Sequence, residues 1–430
     1  MDQISPSAIW ISGLWHQGLV AAGVWADLGF QVVGICDSKS TATQLTNCQL
    51  PIFEPGLEQL IEKGTQSGNL RFVMQNNELK PPDYICFMHD TEVDELDNVN
   101  LTNFLRDFDA LMPQLTEKTE ILITAQLPAG TSETLRSRIQ ETRHFDPRIT
   151  YMPENLRLGE ALERFRNPPL PVFGVNIQDS SSILSALFPS VPNFETCSLT
   201  EAELLKSAMN TFLAIAITFG NEISEISDHF SADGSKVMQL LKLEPRIGRQ
   251  LPLIPGMPFS GGTLGRDVRN LEKIKTSTDH GIIKSIWESN QQRGAYLIKV
   301  ITEIAKEHNY KTIGLLGLTY KPDTSTLRRS FPLEIYSGLR KNFSNISGYD
   351  PKYREFEKAL PSELRIIENL DEIYETCELL ILSTPWTNIL DYLEVKNFEN
   401  KFLIDPYGLL KNRFEKEVNY FRFGGLRRNK

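Results

Sequence analysis

Short apolar segments that alternate with helix-like segments most strongly constrain what the first part of this chain can fold into. Each apolar segment has the length of a strand covered on both faces, which is typical of parallel sheets. The apolar segments are residues 8–13, 31–37, 83–89, 120–126 and 148–153, and the helix-like segments are residues 17–28, 54–64, 99–112 and 131–141. This alternation predicts a doubly wound α/β domain.

The pattern changes in the middle of the 430-residue chain. Residues 199–230 and 279–309 are each predicted as one long helix, and a loop rich in glycine and proline separates them. The alternation then returns with "TIGLLGL", "NISGYD", "ELLILST" and "KFLIDP". We therefore predict an α/β protein with two Rossmann-like doubly wound domains joined by a central all-helical region. The predicted domain bounds are 1–198, 199–309 and 310–430.

Composition excludes several classes of protein. A formal net charge of −10 argues against a broad surface for nucleic acid or an anionic membrane. The five cysteines show no C-x-x-C pairing, which favours free thiols in a reducing compartment. The six histidines are scattered, so we expect no metal site. Without a signal pattern or an apolar run of 18 residues, we expect a cytoplasmic protein with no membrane partner.

The stretch "SGLWHQGLV" follows the first predicted strand and resembles a dinucleotide-binding loop. Gly13 and Gly18 stand where the outer glycines of G-x-G-x-x-G would stand, but Trp15 occupies the middle position, where glycine lets the backbone approach a pyrophosphate. Asp37 ends the second strand, where a carboxylate can bind an adenosine ribose and favour NAD over NADP. Alternatively, Asp37 is an ordinary loop residue. The combination predicts a Rossmann unit whose affinity for NAD is reduced by Trp15.

Polar residues interrupt the apolar pattern of the first long helix. Lys206 and Asn210 are four residues apart, and Asn221 lies about three turns further on the same face. Burying a lysine without a partner is costly, so this face should meet either a ligand or a polar seam between domains. The segment "PGMPFSGGTLGRD", residues 255–267, allows close backbone approach to a ligand, or is an ordinary connecting loop.

Seven segments together resemble the UDP-glucose/GDP-mannose dehydrogenase family, in family order and over nearly the whole chain. "EPGLEQLI" follows the second strand, and "LPAGT" resembles V-P-x-G-T. "MPENLRLGEAL" resembles P-E-F-L-x-E-G-x-A, and "EAELLKSAMNTFLAIAITFGNEI" resembles a helix with K-x-x-x-N and a later N-E. "EPRIG" resembles D-x-R-I-G, and "GMPFSGGTLGRDVRNL" aligns without gaps on G-x-G-x-G-G-S-C-F-P-K-D-x-x-x-L. "LGLTYKPDTSTLRRSFPLEI" resembles G-x-x-[FY]-K-x-x-T-x-D-x-R-x-S.

The resemblance implies an oxidoreductase that converts the C6 alcohol of a nucleotide sugar to a carboxylate with two NAD. It implies that Glu154 acts as a general base or handles water during thioester hydrolysis. Lys206, Asn210 and Asp267 would hold and polarise the C6 oxygen and a water. The three predicted domains would serve dinucleotide binding, dimerisation and nucleotide-sugar binding in turn.

The same resemblance assigns residues to the binding of substrate and cofactor. Phe259 and Lys321 would contact the UDP- or GDP-linked sugar, and Arg328 would lie near the cofactor. Arg246 would reach into the site of a neighbouring subunit, so a homodimer is expected.

One departure from the family pattern affects the nucleophile. The family's cysteine, which traps the aldehyde and carries the thioester, aligns with Thr263. A thiolate is accessible near neutral pH, whereas a threonine hydroxyl needs a strong adjacent base. No histidine lies nearby in the sequence. The covalent second half-reaction is therefore expected to be absent.

Other departures concentrate around the predicted cofactor. Asp90 replaces the threonine of a T-P pair and would place a negative charge near the pyrophosphate. Gln126 replaces the threonine of S-T-V-P, and Leu158 replaces the second glutamate of the P-E-F-L-x-E-G motif. Near the C-terminus, a D-G-R motif appears as Asp405-Pro406-Tyr407, which lacks the arginine.

These observations favour an NAD-dependent nucleotide-sugar dehydrogenase with altered or incomplete oxidation. A catalytically weak homologue that binds a nucleotide sugar as a sensor or pathway partner is the alternative. A scaffold without catalysis is a third reading, but the joint retention of Glu154, Lys206, Asn210 and Asp267 argues against it.

Overall fold

The computed structural model describes residues 7–74, 80–94, 99–177, 181–274 and 281–425. The chain divides into two compact units, Met1–Ala208 and Met209–Lys430. Each unit contains a twisted, mainly parallel sheet with helices, so the predicted fold class is confirmed. The domain bounds predicted at residues 198 and 309 stay a prediction.

The first unit is built on an eight-stranded sheet in the order β10-β9-β8-β7-β4-β1-β2-β3. All neighbouring strands are parallel except β8 and β9. A separate antiparallel pair joins β5 to β6. Among the described residues, the strands of this unit are β1 Ala8–Ser12, β2 Gln31–Cys36, β3 Leu70–Met74, β4 Tyr84–Phe87, β5 Glu92–Val93, β6 Val99–Asn100, β7 Glu120–Ile123, β8 Arg148–Tyr151, β9 Val172–Val175 and β10 Glu195–Cys197.

Helices of the first unit connect these strands and cover the sheet. The strand order reverses between β1 and β4, so a crevice for a ligand is expected at the carboxyl ends of these two strands. In the described ranges before residue 199, the α-helices are α1 His16–Asp27, α2 Lys39–Thr46, α3 Leu57–Gln66, α4 Thr102–Leu111, α5 Thr131–Arg143, α6 Ala161–Arg166 and α7 Ser181–Leu187.

The turn from β1 into α1 requires both of its outer glycines. Gly13 has φ +92°, and a Cβ there would lie 2.6 Å from the backbone nitrogen of His89. A Cβ on Gly18 would lie 2.1 Å from the carbonyl oxygen of Gly13. No real side chain tolerates these distances, so the two glycines let the helix start directly above the sheet edge.

The second unit is built on a six-stranded, fully parallel sheet in the order β13-β12-β11-β14-β15-β16. This order repeats the reversal of the first sheet, here between β11 and β14. The strands are β11 Thr312–Leu316, β12 Asn345–Tyr349, β13 Arg365–Ile366, β14 Leu379–Leu382, β15 Phe402–Ile404 and β16 Tyr420–Phe421.

Two long helices precede this sheet, as predicted. Helix α8, Leu199–His229, includes residues on both sides of the boundary at 208, and helix α11 is Gly281–Glu307. The other helices are α9 Gly234–Leu241, α10 Leu264–Lys273, α12 Phe331–Leu339, α13 Tyr353–Phe356, α14 Leu370–Thr376, α15 Thr387–Glu394 and α16 Lys411–Phe414.

The turn after β11 is filled by a buried carboxylate, unlike the turn after β1 in the first sheet. Gly317 has φ +93°, and a Cβ there would lie 2.3 Å from Cβ of Thr384, so the chain again crosses close to a neighbouring strand end. Asp350 follows β12 and is buried. Its carboxylate accepts hydrogen bonds from the backbone N–H groups of Leu318 and Thr319, which offset the cost of burying it. This acid therefore stabilises the turn itself.

Among the described residues, only α8 is long and apolar enough to cross a membrane by length and composition. Half of its most apolar 18-residue window is buried inside the protein. The core helix of a protein without membrane spans meets the same criterion, so this is weak evidence for insertion.

Candidate functional site

The N-terminus of α1 faces the crevice edge without a capping side chain. Trp15 occupies the N-cap position with φ −104° and ψ −149°, and the first turn contains no acidic residue. The Trp15 side chain is 45% exposed. An uncapped helix N-terminus suits an anion, so the turn fits a pyrophosphate electrostatically.

A cavity of about 410 Å³ lies at the carboxyl ends of β1 and β2. Ser12, Asp37, Arg106 and Asp107 supply its polar groups, and apolar side chains such as Leu111 complete the lining. Asp37 is exposed and lies directly after β2. A carboxylate beside an apolar slot fits an adenosine, with the ribose hydroxyls on Asp37. Ser12, Arg106 and Asp107 were not predicted from the sequence.

His89 and Asp107 form a second polar pair beside this cavity. His89 Nε2 lies 2.9 Å from an Asp107 oxygen and 3.4 Å from the Ser12 hydroxyl. Burial opposes ionisation of Asp107, but hydrogen bonds from His89 and Arg106 outweigh it and lower the pKa of this carboxyl. Asp107 is therefore an anion that holds the imidazole next to the glycine turn. Eighteen residues separate the pair in sequence, so no local spacing pattern could reveal it.

Glu54 links the start of α1 to the turn before α6. Its buried carboxylate accepts hydrogen bonds from His16 Nε2 and from the backbone N–H groups of Gly159 and Ala161, each at 2.9 Å. Glu54 is the first residue of the "EPGLEQLI" segment, but the resemblance assigned it no role. The carboxylate fixes the cofactor turn relative to the segment that follows Glu154.

Glu154 and Lys206 meet within the first unit. Lys206 is 7% exposed and donates hydrogen bonds to the Glu154 carbonyl oxygen and, at 2.8 Å, to Asn155 Oδ1. The Glu154 carboxylate accepts from the Leu156 N–H. Burial raises the pKa of Glu154 and Asp90 adds to this effect, while Lys206 opposes it. The carboxyl is thus poised to exchange a proton closer to neutral pH than an ordinary glutamate.

Asp90 and Gln126 also lie at this edge. Thr91 donates a hydrogen bond from its hydroxyl to the Gln126 carbonyl oxygen at 2.6 Å, which joins the two segments. Asp90 is exposed and close enough to Glu154 to affect its ionisation. The predicted negative charge is therefore present at the carboxyl edge of the sheet.

Asn210 and Asp267 meet within the second unit. Asn210 Nδ2 donates to an Asp267 oxygen at 2.6 Å, and both side chains are buried. Arg266 Nε lies 3.6 Å from the other Asp267 oxygen. The structure thus brings together two predicted residues that are 57 positions apart in sequence.

Three buried side chains hold the loop before α10. Asn221 accepts from the Gly256 N–H at 2.8 Å, and Asn290 accepts from the Phe259 N–H at 2.8 Å. Arg293 donates two hydrogen bonds to the Gly256 carbonyl oxygen. Asn221 therefore positions this loop through its backbone. Asn290 and Arg293 lie on α11 and were not predicted.

Thr263 stands at the N-cap of α10 at the end of this loop. Its side chain is exposed and makes no capping hydrogen bond. Phe259, in contrast, is buried and packs against α8, α10 and α11. Among the described residues, no His, Cys or carboxylate is hydrogen-bonded to the Thr263 hydroxyl. Within the described part of the chain, no hydrogen-bonded base activates this hydroxyl as a nucleophile.

The remaining predicted residues lie on exposed parts of the second unit. Arg328 packs against Gly262, where a Cβ would lie 3.2 Å from Arg328 Cδ, and Lys321 is exposed in the same connection. The loop of Thr263 and the loop of Arg328 are therefore neighbours. Arg246 is exposed and pairs with Glu244 at 2.8 Å. The family's missing arginine is replaced by Tyr407, whose ring packs on Gly256.

The raised pKa of Glu154 has a defined consequence for stability. The unfolded chain ionises this carboxyl more readily than the native chain, so above the unfolded pKa the native state carries a penalty. We expect Glu154→Gln to raise the free energy of unfolding at about pH 8 and to lose that gain as the pH falls to about 4. Urea denaturation measures it. Glu141→Gln, on the exposed face of α5, is the control, and an equal gain at both pH values would contradict the assignment.

Comparison with known proteins identifies three consecutive matches. Residues 7–191, 200–292 and 314–412 match the NAD binding, central and UDP binding domains of the UDP-glucose/GDP-mannose dehydrogenase family. A UDP-glucose 6-dehydrogenase of Rickettsia conorii is 26% identical over 420 residues, covering 95% of this chain and 96% of the relative. One from Bacillus subtilis is 28% identical over 400 residues, covering 90% and 84%.

Solved structures share the fold. A UDP-glucose dehydrogenase from Pyrobaculum islandicum superposes with a TM-score of 0.85 at 24% identity, covering 99% of both chains. A UDP-D-ManNAc dehydrogenase from Pyrococcus horikoshii gives 0.84 at 19% identity, covering 97% of this chain and 99% of that one. The predicted cofactor, NAD, is confirmed by the match to the NAD binding domain. The chain therefore belongs to the UDP-glucose/GDP-mannose dehydrogenase family of NAD-dependent oxidoreductases.

Proposed function

We propose that this protein oxidises the C6 alcohol of a UDP-linked sugar with NAD and releases the product mainly at the aldehyde level. The observation that carries the proposal is a contrast within the structure. The polar groups that would polarise an alcohol are buried and hydrogen-bonded, whereas Thr263, at the position that the resemblance assigns to the nucleophile, is exposed and has no hydrogen bond to a base among the described residues. The match to the UDP binding domain and the names of the relatives support the UDP-linked substrate.

Cofactor binding would use the glycine turn, the uncapped start of α1 and the cavity at Asp37. NAD, when bound, accepts a hydride from the sugar carbon. Gly13 and Gly18 give the backbone its close approach, and Asp37 would bind the ribose hydroxyls. These residues fit the cofactor, while Trp15 and Asp90 weaken its binding.

The first oxidation would depend on groups that stabilise developing negative charge. We assign Lys206 to the C6 oxygen, since a held ammonium stabilises an alkoxide without sulfur. Glu154, with its raised pKa, would accept or return a proton through water. These roles need no covalent bond to the enzyme.

The second oxidation would be slow. A hydroxyl that lacks a neighbouring base is a poor trap for an aldehyde, and Thr263 has none among its described contacts. Acid would then form only from the aldehyde hydrate. That route gives up the orientation that a covalent intermediate provides.

The alternative function is a binding protein with weak or no turnover. Trp15 at the N-cap of α1 favours it, because an indole there replaces the glycine that would let the backbone approach a pyrophosphate. Weak cofactor affinity with normal binding of UDP-sugars would support this alternative.

We further propose a homodimer built on the helical middle, residues 199–309. Phe212, Phe219 and Ile226 of α8 are 57%, 44% and 53% exposed and repeat every seven residues. A seven-residue apolar repeat on an exposed helix face is typical of helix pairing. Arg246 is exposed and would reach the partner's substrate.

Product analysis tests the proposed reaction. With UDP-glucose and NAD, we expect the unmodified protein to yield the aldehyde or its hydrate, at about one NADH per sugar and without a covalent adduct. Thr263→Cys alone should restore little acid, because Trp15, Asp90 and Gln126 still impair cofactor placement and a small misplacement costs about 100-fold in rate. Quenched-flow mass spectrometry measures both. Rapid formation of a uronic acid by the unmodified protein would refute the proposal.

Trp15→Gly tests the effect of the indole on the cofactor. We expect it to tighten NAD binding by about tenfold, equivalent to about 1.4 kcal/mol, because the backbone can then approach the pyrophosphate. Isothermal calorimetry measures the affinity. Trp287→Gly, on α11, serves as the control for loss of an indole elsewhere. Tight NAD binding by the unmodified protein, or no gain in Trp15→Gly, would show that the indole does not obstruct the site.

The dimer is tested by two kinds of change. Phe212→Glu combined with Phe219→Glu should give a monomer in light scattering at micromolar concentration, because charge replaces the apolar face. Arg246→Ala should keep the dimer and the fold but weaken UDP-glucose binding about tenfold, whereas Arg249→Ala, an exposed neighbour, should not. A monomeric unmodified protein would contradict the assignment.

A further inference from the structure

One short turn of the chain supplies two hydrogen-bond acceptors to Lys206. The side chain is 7% exposed, and a charged amine removed from water needs hydrogen-bond acceptors. The turn supplies two: the carbonyl oxygen of Glu154 and the side-chain oxygen of Asn155, which is 2.8 Å from Nζ. Both acceptors are neutral.

The Asn155 side chain is itself fixed. Its Nδ2 donates to the Pro153 carbonyl oxygen at 3.3 Å, so its Oδ1 faces the ammonium of Lys206. The opposite orientation of the amide would place its N–H groups against the ammonium and its oxygen against a carbonyl. The two contacts therefore specify a single orientation.

A neutral acceptor here has a consequence for Glu154. The Glu154 carboxylate accepts a hydrogen bond from the Leu156 N–H. The Lys206 ammonium instead donates to the Glu154 carbonyl oxygen and to Asn155 Oδ1. The positive charge thus stands close enough to lower the Glu154 pKa, yet two of its hydrogen bonds go to uncharged oxygens. A carboxylate at position 155 would instead compete with Glu154 for the ammonium.

The sequence gives Asn155 no distinguishing signal. The motif that "MPENLRLGEAL" resembles has phenylalanine at the position of Asn155. A phenylalanine has no oxygen that could accept a hydrogen bond from Lys206.

We propose that Asn155 is a positioning residue that fixes the ammonium of Lys206 beside Glu154. This inference rests on the proposed function, in which Lys206 polarises the C6 oxygen of the sugar. Asn155 does not touch the reacting atoms; it acts through the lysine.

The test compares two variants of opposite character in the full chain. Asn155→Leu removes the acceptor, so the buried amine should lose its proton at a lower pH. Asn155→Asp adds a negative charge in the same shape, so the amine should keep its proton to a higher pH. We expect the pH midpoint for acetylation of Lys206, followed by peptide mass spectrometry without sugar or cofactor, to move by about one unit in opposite directions.

Matched controls are Asn167→Leu and Asn167→Asp, on an exposed asparagine that bonds only to Glu163 in the described structure. Neither should move the Lys206 midpoint. If Asn155→Leu fails to fold, Asn155→Ala removes the acceptor without adding an apolar group. A residue that only packs the turn would shift both Asn155 variants in the same direction or not at all, and either result would overturn the proposal.

A second measurement uses UDP-glucose oxidation with NAD. Asn155→Leu should lower kcat about tenfold with KM within about twofold, because the interaction is needed in the transition state. The basic limb of the kcat profile should follow the acetylation midpoint in each variant. If the unmodified protein shows no turnover, the proposed function fails while the Lys206 midpoints still decide the role of Asn155.

Discussion

The close approach of backbone to backbone at Gly13 is the constraint on which the first unit depends. A Cβ there would lie 2.6 Å from the His89 nitrogen, so only glycine lets β1 turn upward beside the end of β4. Because of this crossing, α1 begins at the sheet edge and points its uncapped N-terminus there. Gly317 imposes the same crossing on the second sheet, where the buried Asp350 then occupies the turn. One geometry thus yields an open edge in one unit and a filled turn in the other.

Buried charged side chains in both units are held by hydrogen bonds to nearby loops and side chains. Lys206, Asp267 and Arg293 are each less than a tenth exposed, and each would destabilise the protein if left without partners. Lys206 is held by the turn at Asn155, and Asp267 is held by Asn210. Arg293 holds the Gly256 carbonyl oxygen and pairs with Glu225 at 2.7 Å. Substitution of one of these buried side chains would therefore disturb a neighbouring segment as well as a charge. The loop before α10 shows this dependence, because side chains of α8 and α11 hold its backbone.

Much of the fold followed from sequence because its signals are local. Apolar runs predicted β1, β2, β4, β7 and β8, and helical periodicity predicted α8 to within a residue. Leu70–Met74 was missed because it is an edge strand in which Arg71 is exposed between buried Leu70 and Phe72. The pairs His16–Glu54 and His89–Asp107 were missed for a different reason. Their members are 38 and 18 residues apart, and only the folded sheet brings them together.

The candidate site departs from the family pattern unevenly, and the physics of each position accounts for the difference. Trp15, Asp90 and Thr263 are all exposed, so replacing them leaves the core unchanged. Asn210 and Asp267 are buried against each other, and loss of either would leave an unsatisfied polar group inside the protein. Structural cost alone therefore favours retention of Asn210 and Asp267, whatever residue stands at position 263. Retention of Asn210 and Asp267 is weaker evidence for turnover than retention of Lys206, because a stable fold does not require the charge of that lysine.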